Sequence, residues 1–169
     1  MNSPASLNAL TKNELRDALH KCCGSTAWVD KMVSVFPVAD VETLLKEARK
    51  KWFDCKEKDW LEAFTHHPKI GDARSLAARF PETAHLAQNE QAAVTHAPNQ
   101  LLEALAEGNQ DYEKKFGFIF IVCASGKSAE EMLRILRSRL PNSREDEIKI
   151  AMEEQYKITE LRLKKIIGS

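Results

Sequence analysis

One stretch of this chain decides where its regular helix must stop, Thr65-His66-His67-Pro68-Lys69-Ile70-Gly71-Asp72. Proline disfavours right-handed helix for the residue before it, and glycine takes backbone angles that other residues avoid. His67 is therefore expected at a helix end. Because imidazole gains or loses its proton near neutral pH, a fixed histidine here is a candidate acid, base or metal ligand. The alternative, a histidine that only bonds a helix-end carbonyl, stays open from this stretch alone.

Helix-start signals precede this stretch at regular intervals. Three helices are predicted by possible capping residues, at Thr11 with Glu14, at Ser25 or Thr26, and at Asp40. A fourth, short helix rich in large apolar side chains leads into the His-Pro stop. The first half of the chain is thus predicted to be helical.

The chain after the stop is also predicted to be mostly helical. Asp72 is a possible cap for a helix to Phe80, and a long helical stretch is expected from about 84 to about 106, broken near Pro98. Ser128 and Ser143 are expected to cap the last two helices. Residues 116–123 resemble a strand in composition but have no second strand to pair with. The expected fold is all-α, with residues 1–169 in a single compact multi-helix domain and a helical bundle as the generic architecture.

Composition limits the classes of partner. The 25 basic residues balance the 25 acidic ones, so no overall field attracts nucleic acid or an anionic membrane. A small-molecule partner stays open. The four cysteines lack zinc-knuckle spacing and are predicted to be reduced, mostly buried thiols. The beginning of the sequence has no secretory pattern and no apolar run is long enough for a membrane span, which predicts a cytoplasmic location.

Two further sites could join His67 in chemistry. Glu90 and Gln91 place a carboxylate beside an amide in an alanine-rich helical stretch, although such a pair is commonly a solvated polar face. Arg162 lies four residues from Ile158 and four from Ile166, which puts a permanent cation on an apolar stripe. Its guanidinium is either buried and paired with a carboxylate, or it reaches water while its stem lies along the surface.

A metal site is a weaker alternative. It would have to recruit its ligands from His66, His67, His85 and His96, and the helical pair at i and i+4 that zinc proteins commonly use is absent from this sequence.

Several motifs, taken in order, resemble the family of OHCU decarboxylases. They are residues 61–72 with His67-Pro68, then Asn89-Glu90-Gln91, then residues 116–124, and finally Leu161-Arg162-Leu163. The early Cys22-Cys23-Gly24-Ser25 with Trp28 is similar to the bacterial branch of the same family. The resemblance covers nearly the whole chain.

This resemblance implies an activity and an assembly. The family decarboxylates 2-oxo-4-hydroxy-4-carboxy-5-ureidoimidazoline to (S)-allantoin, the last step from urate to allantoin. The likeness further implies an all-helical homodimer that works without metal or organic cofactor. A helical ligand-binding or interaction module that keeps the fold with a changed or lost activity is the alternative.

The resemblance also assigns roles to residues. His67, Glu90 and Arg162 match the catalytic residues, and Pro68 and Gln91 match substrate-contacting ones. The rest of the expected substrate-binding set is Ala87, Gln88, Asn89, Phe120, Ile121, Val122, Cys123 and Ala124. The family commonly has serine at the position of Ala87, so a hydroxyl contact is missing unless Gln88 or a water replaces it. Which of His67 and Glu90 delivers the proton stays open.

Overall fold

Eight helices lie within residues 3–70 and 97–168, the residues that the computed structural model describes. In chain order they are α1 (Ala5–Asn8), α2 (Lys12–Cys22), α3 (Thr26–Val33), α4 (Val41–Phe53), α5 (Glu57–Phe64), α6 (Asn99–Phe116), α7 (Ala129–Arg139) and α8 (Arg144–Ile167). The described residues contain no strand. The all-α prediction is therefore confirmed.

Helix starts follow the local signals in the sequence. At α2, Thr11 Oγ1 accepts from the Glu14 backbone N–H at 3.4 Å, while Glu14 Oε2 accepts from the Thr11 N–H at 2.9 Å. Within the described residues, the other predicted caps also accept backbone N–H groups, at Ser25 (3.3 Å), Asp40 (2.7 Å), Ser128 (3.1 Å) and Ser143 (3.1 Å). These caps satisfy N–H groups that have no partner inside their helices.

The helix α6 is longer than the sequence suggests. It begins directly after Pro98, as expected, but continues to Phe116 and not to about 106. Gly108 and Asn109 resemble stop signals, yet both fit inside this helix. A Cβ added at Gly108 would lie 2.5 Å from Leu136 Cδ2, so glycine permits close packing against α7. Asn109 Nδ2 donates to the Leu105 carbonyl one turn earlier, at 2.8 Å.

The strand-like run after α6 is a buried, irregular segment. Gly117 ends the helix in the left-handed conformation, with φ at 79°. Residues 118–124 are then neither helix nor strand. Their aromatic and β-branched side chains serve the core and do not pair in a sheet.

The chain divides into two compact units. The first comprises Met1–Ala63 with Tyr156–Ser169, and the second comprises Phe64–Gln155. In the first, the Trp28 indole donates to the Ala48 carbonyl at 3.0 Å inside an apolar core. Fully buried Tyr112 is central to the second, with its ring 4.6 Å from that of Phe116 and 5.4 Å from that of Phe120.

All four cysteines are buried thiols outside any disulfide, as predicted. Burial raises the pKa of Cys23 to about 12 and that of Cys55 to about 11. Both thiols are therefore protonated at neutral pH and behave as small apolar side chains. Across the described parts of the chain, no helix combines the length and apolar character needed to cross a bilayer.

Candidate functional site

His67 lies just beyond the end of α5 and is buried. Its backbone N–H donates to the Phe64 carbonyl at 3.2 Å, which closes a turn after the helix. The residue is 8% exposed, whereas the neighbouring His66 is partly exposed. Pro68 is also buried. The stop therefore places one imidazole of the pair inside the second unit, where solvation is reduced.

The imidazole of His67 is held by the side chain of Gln155. The two atoms in contact, His67 Nε2 and Gln155 Oε1, are 2.6 Å apart, and Gln155 is fully buried within α8. An amide oxygen can only accept a hydrogen bond. With Oε1 as the acceptor, the contact is a hydrogen bond in the form of the ring that carries a proton on Nε2.

One face of α6 contacts Lys69 and Ile70, the residues that follow the His67 turn. Asn109 Nδ2 lies 3.4 Å from the Ile70 carbonyl oxygen, and Lys69 pairs with Glu113 at 2.6 Å, one helical turn later. Asn109 is 3% exposed, and its Oδ1 is buried without a hydrogen-bond partner among the described residues. The two contacts from one helix face restrict the path of the chain after His67.

The segment expected to line the site is buried throughout. Phe120, Ile121, Val122, Cys123 and Ala124 are all between 1% and 7% exposed. Side chains of neighbouring elements hold its backbone. The Ile121 carbonyl accepts from Arg139 Nη1 at 2.7 Å, and the Cys123 N–H donates to Glu154 Oε2 at 2.7 Å. The Cys123 carbonyl accepts from Lys127 Nζ at 2.8 Å.

The next carbonyl of the segment, that of Ala124, accepts from the Lys127 backbone N–H at 3.1 Å. The Ile121 carbonyl is thus turned towards Arg139, and the backbone groups of Cys123 are turned towards Glu154 and Lys127.

A buried ion pair between Arg139 and Glu147 supports residues 120–124. Arg139 Nε and Nη2 each lie 2.5 Å from Glu147 Oε1, and the Tyr112 hydroxyl donates to the same oxygen at 2.5 Å. Asn142 Nδ2 donates to Glu147 Oε2 at 2.9 Å, and Glu147 is fully buried. The Arg139 guanidinium also lies 4.8 Å from the ring centre of Phe120. Arg139 thus couples a satisfied charge network to the segment backbone.

Arg162 belongs to the first unit and is buried, at 5% exposed. Its Nη1 donates to the Lys21 carbonyl at 3.3 Å. The alternative of an arginine that reaches water along the surface is therefore wrong. The helical spacing from Ile158 correctly placed this cation on the buried stripe of α8.

Part of the expected site falls outside the described residues. This applies to Glu90 and to its neighbours in sequence, Ala87, Gln88, Asn89 and Gln91, and also to the predicted cap at Asp72. His85 and His96, two of the four histidines of the metal alternative, fall there too. Within residues 3–70 and 97–168, no three His, Cys, Asp or Glu side chains form a group suited to a metal ion.

The sequence prediction missed residues that hold the site. Gln155 stands seven residues after Ile148 and seven before Arg162, and this spacing keeps side chains on nearly the same helix face. A polar residue on an apolar stripe is the signal that singled out Arg162, so the same signal could have found Gln155. Glu154 and Arg139 gave no comparable local signal, because their partners are distant in sequence.

A separate cavity of about 550 Å³ lies in the first unit. Residues of α1, α2 and α3 line it, with Phe36 and Pro37. Of the predicted site residues that the structure describes, none lines this cavity.

Comparison with known proteins identifies one family. The family model described as OHCU decarboxylase matches residues 8–164. An Arabidopsis thaliana protein named "Uric acid degradation bifunctional protein TTL" is 40% identical over 148 residues, which are 87% of this chain and 45% of that protein. The chain therefore spans less than half the length of this relative.

Two further matches cover most of both chains. A protein of Halalkalicoccus jeotgali named 2-oxo-4-hydroxy-4-carboxy-5-ureidoimidazoline decarboxylase is 25% identical, over 95% of this chain and 89% of its own length. The crystal structure of an OHCU decarboxylase in the presence of (S)-allantoin matches with a TM-score of 0.77 and 38% identity, covering 90% of this chain and 99% of that one.

Proposed function

This chain belongs to the OHCU decarboxylase family, and from that premise we propose that it is a carboxy-lyase of urate breakdown. It would decarboxylate 2-oxo-4-hydroxy-4-carboxy-5-ureidoimidazoline to (S)-allantoin. The observation that carries the proposal is the buried imidazole of His67, fixed by Gln155 2.6 Å away. The match to a decarboxylase structure obtained in the presence of (S)-allantoin supports the same substrate class.

The substrate itself can accept the electron pair that decarboxylation leaves on its ring. When the bond to the carboxylate breaks, its electron pair stays on the ring carbon, and the conjugated C=N of the ring accepts it. Carbon dioxide leaves, and a proton is added to one face of the ring. We propose that no cofactor takes part, since the substrate itself accepts the electrons.

His67 and Glu90 are the proposed acid/base pair. A positioned imidazole and a carboxylate can each move one proton, to or from the substrate hydroxyl and the nascent carbanion. Burial of His67 favours this role because water competes less for the reacting groups. A proton delivered from one fixed side would produce a single enantiomer.

Arg162 is the proposed anchor for the substrate anion. Its charge is permanent, and its forked N–H groups match a carboxylate or a polarised ring carbonyl. The burial of Arg162 supports this role, because an ionic contact is stronger where water is scarce. Pro68 and residues 87–91 complete the proposed binding set, in which Gln91 can donate to and accept from the ureido group.

Residues 120–124 are the proposed backbone lining of the pocket. The fixed carbonyl of Ile121 and N–H of Cys123 support this role, because they hold the segment in one conformation. Val122 would then offer its backbone groups to the polar edge of the substrate without reorganisation.

The proposed setting is that of a cytoplasmic homodimer with one domain over residues 1–169 and no nucleic-acid or membrane partner. The family model covers 8–164, which supports a single domain. The bacterial-branch assignment stays a prediction. Light scattering on the purified chain tests the dimer, with a monomer mass of 19.1 kDa as its reference.

The test of the activity is stereochemical. Freshly generated substrate, made from urate by oxidation and hydrolysis, decays spontaneously without chiral preference, so circular dichroism at the allantoin bands reports only the enzymatic product. We expect the purified chain to give optically active (S)-allantoin faster than the blank. A racemic product at the blank rate would contradict the proposal and favour a binding module that has kept only the fold.

A further inference from the structure

We propose that Gln155 is a positioning residue that fixes His67 in one tautomer, with the proton of the neutral ring on Nε2 and the basic lone pair on Nδ1. The inference rests on the proposed function in one respect, that His67 handles a proton. It adds which nitrogen does so and which residue selects it.

The geometry of the contact supports this choice. The distance of 2.6 Å between His67 Nε2 and Gln155 Oε1 is that of a short hydrogen bond. With Oε1 as the acceptor, Nε2 must be the donor, and in a neutral imidazole the other nitrogen is then unprotonated. The tautomer of a histidine is generally set by the bond that one ring nitrogen makes.

The surroundings make the partner rigid. Gln155 is fully buried, and it lies inside α8 between Glu154 and Tyr156, away from either helix end. Its preceding neighbour, Glu154, accepts from the Cys123 N–H at 2.7 Å. Two consecutive residues of one helix thus fix the catalytic ring and the proposed lining segment. A rotation of α8 would displace both groups together.

An amide suits a ring that must cycle through two protonation states. Its oxygen accepts from Nε2–H in the neutral imidazole and in the imidazolium alike, so the contact persists while Nδ1 gains and loses a proton. A carboxylate at the same place would add a Coulombic attraction to the imidazolium. Gln155 therefore orients the ring without adding a charge to the pocket.

The tautomer can be measured without substrate. Long-range proton–nitrogen NMR correlations distinguish protonated from unprotonated ring nitrogens, and His67 is identified among the five histidines by the signal lost in His67→Asn. At a pH where the ring is neutral, we expect Nε2 to carry the proton in the wild type. A proton on Nδ1 would overturn the proposal, because it would mean that the amide of Gln155 is reversed.

Two variants of Gln155 separate positioning from packing. Gln155→Met keeps the length of the side chain but removes the acceptor, whereas Gln155→Glu keeps an acceptor for Nε2. We expect Gln155→Met to populate both tautomers and to lower kcat by about 10- to 100-fold with little change in KM, as for other lost orienting partners. Gln155→Glu should keep Nε2–H and recover most of the lost kcat.

The control is Lys149→Gln, at an exposed position on the same helix, which should leave the tautomer and kcat unchanged. Unchanged tautomer populations in Gln155→Met, or equal losses of kcat in both Gln155 variants, would overturn the proposal. If Gln155→Met fails to fold, Gln155→Glu and the wild-type spectrum still decide it. An inactive wild type with the proton on Nε2 would contradict the decarboxylase function and leave the tautomer assignment standing.

Discussion

Two buried polar clusters of the second unit differ in how they treat charge. Arg139 and Glu147 form an ion pair in which Glu147 also accepts from Tyr112 and Asn142. His67 and Gln155, by contrast, form a hydrogen-bonded pair that holds no permanent charge. The first cluster fixes a backbone segment. The second holds a ring that can change its protonation state.

The difference indicates that two residues of one helix have separate roles, one in stability and the other in catalysis. Glu147 and Gln155 both belong to α8, and both are fully buried. Removing one partner of a buried ion pair leaves an uncompensated charge, which is costly for folding. Removing a neutral acceptor costs less. Substitutions in the Arg139–Glu147 cluster should therefore mainly lower the free energy of unfolding. Substitutions in the His67–Gln155 pair should mainly lower the catalytic rate.

The largest effect on stability is expected from Glu147→Ala. It leaves the Arg139 guanidinium buried without its carboxylate, which costs about 3–5 kcal/mol in comparable pairs. Urea unfolding followed by far-UV circular dichroism measures the change. Glu145→Ala, at an exposed position on the same helix, is the control and should change the free energy of unfolding by less than about 0.5 kcal/mol.

The double variant Arg139→Met with Glu147→Leu sharpens this test. Replacing both members of a buried pair with apolar side chains is often close to neutral. We therefore expect it to be more stable than Glu147→Ala. If Glu147→Ala itself costs under about 1 kcal/mol, the ion pair does not support the segment as described.

A smaller effect is expected from Tyr112→Phe. The change removes a hydrogen bond to an ionised carboxylate, worth about 1.5–3 kcal/mol, while keeping the ring in the aromatic core. Urea unfolding near neutral pH measures the loss. The comparison is Tyr156→Phe, which removes a hydrogen bond to the uncharged Leu45 carbonyl (2.9 Å) and should cost less.

The two tyrosines also predict the alkaline limit of stability. Burial raises the pKa of Tyr112 well above its usual value and that of Tyr156 to about 12. A raised pKa in the folded state stabilises the fold below the unfolded pKa of about 10, and this contribution is lost as pH rises beyond it. Ultraviolet titration should therefore show tyrosinate appearing together with unfolding. Free titration of both rings near pH 10 in the folded chain would contradict their burial.

The smallest effect is expected from Ala87→Ser. Restoring the hydroxyl that the family commonly carries should lower KM by a few-fold, in line with about 1 kcal/mol for one hydrogen bond, with kcat little changed. Ala87→Val is the control for side-chain size. A KM that rises or stays constant in Ala87→Ser would indicate that Gln88 or a water already fills this role.

Local signals explain what the sequence predicted. The caps at Asp40 and Ser128 were predictable because cap and helix are adjacent in the chain. His67 was expected at a helix end because of Pro68, and Arg162 stood out because helical spacing puts it on an apolar stripe. Each of these inferences uses residues only a few positions apart.

Tertiary contacts explain what the sequence did not predict. The extension of α6 through Gly108 depends on its packing against Leu136 of another helix. The pairing of His67 with Gln155 joins residues 88 positions apart. Residues 116–123 resemble a strand only in their composition. In the structure, the backbone partners of this run are side chains of other elements.

The central claim, that His67 handles a proton in a stereospecific decarboxylation, is tested most directly with His67→Asn. The assay follows circular dichroism of freshly generated substrate, with thermal unfolding of both proteins as the check on folding. We predict that the variant remains folded while formation of optically active allantoin falls by at least about 100-fold, as expected for a lost acid or base. A folded His67→Asn protein that makes (S)-allantoin at the wild-type rate would contradict the assignment.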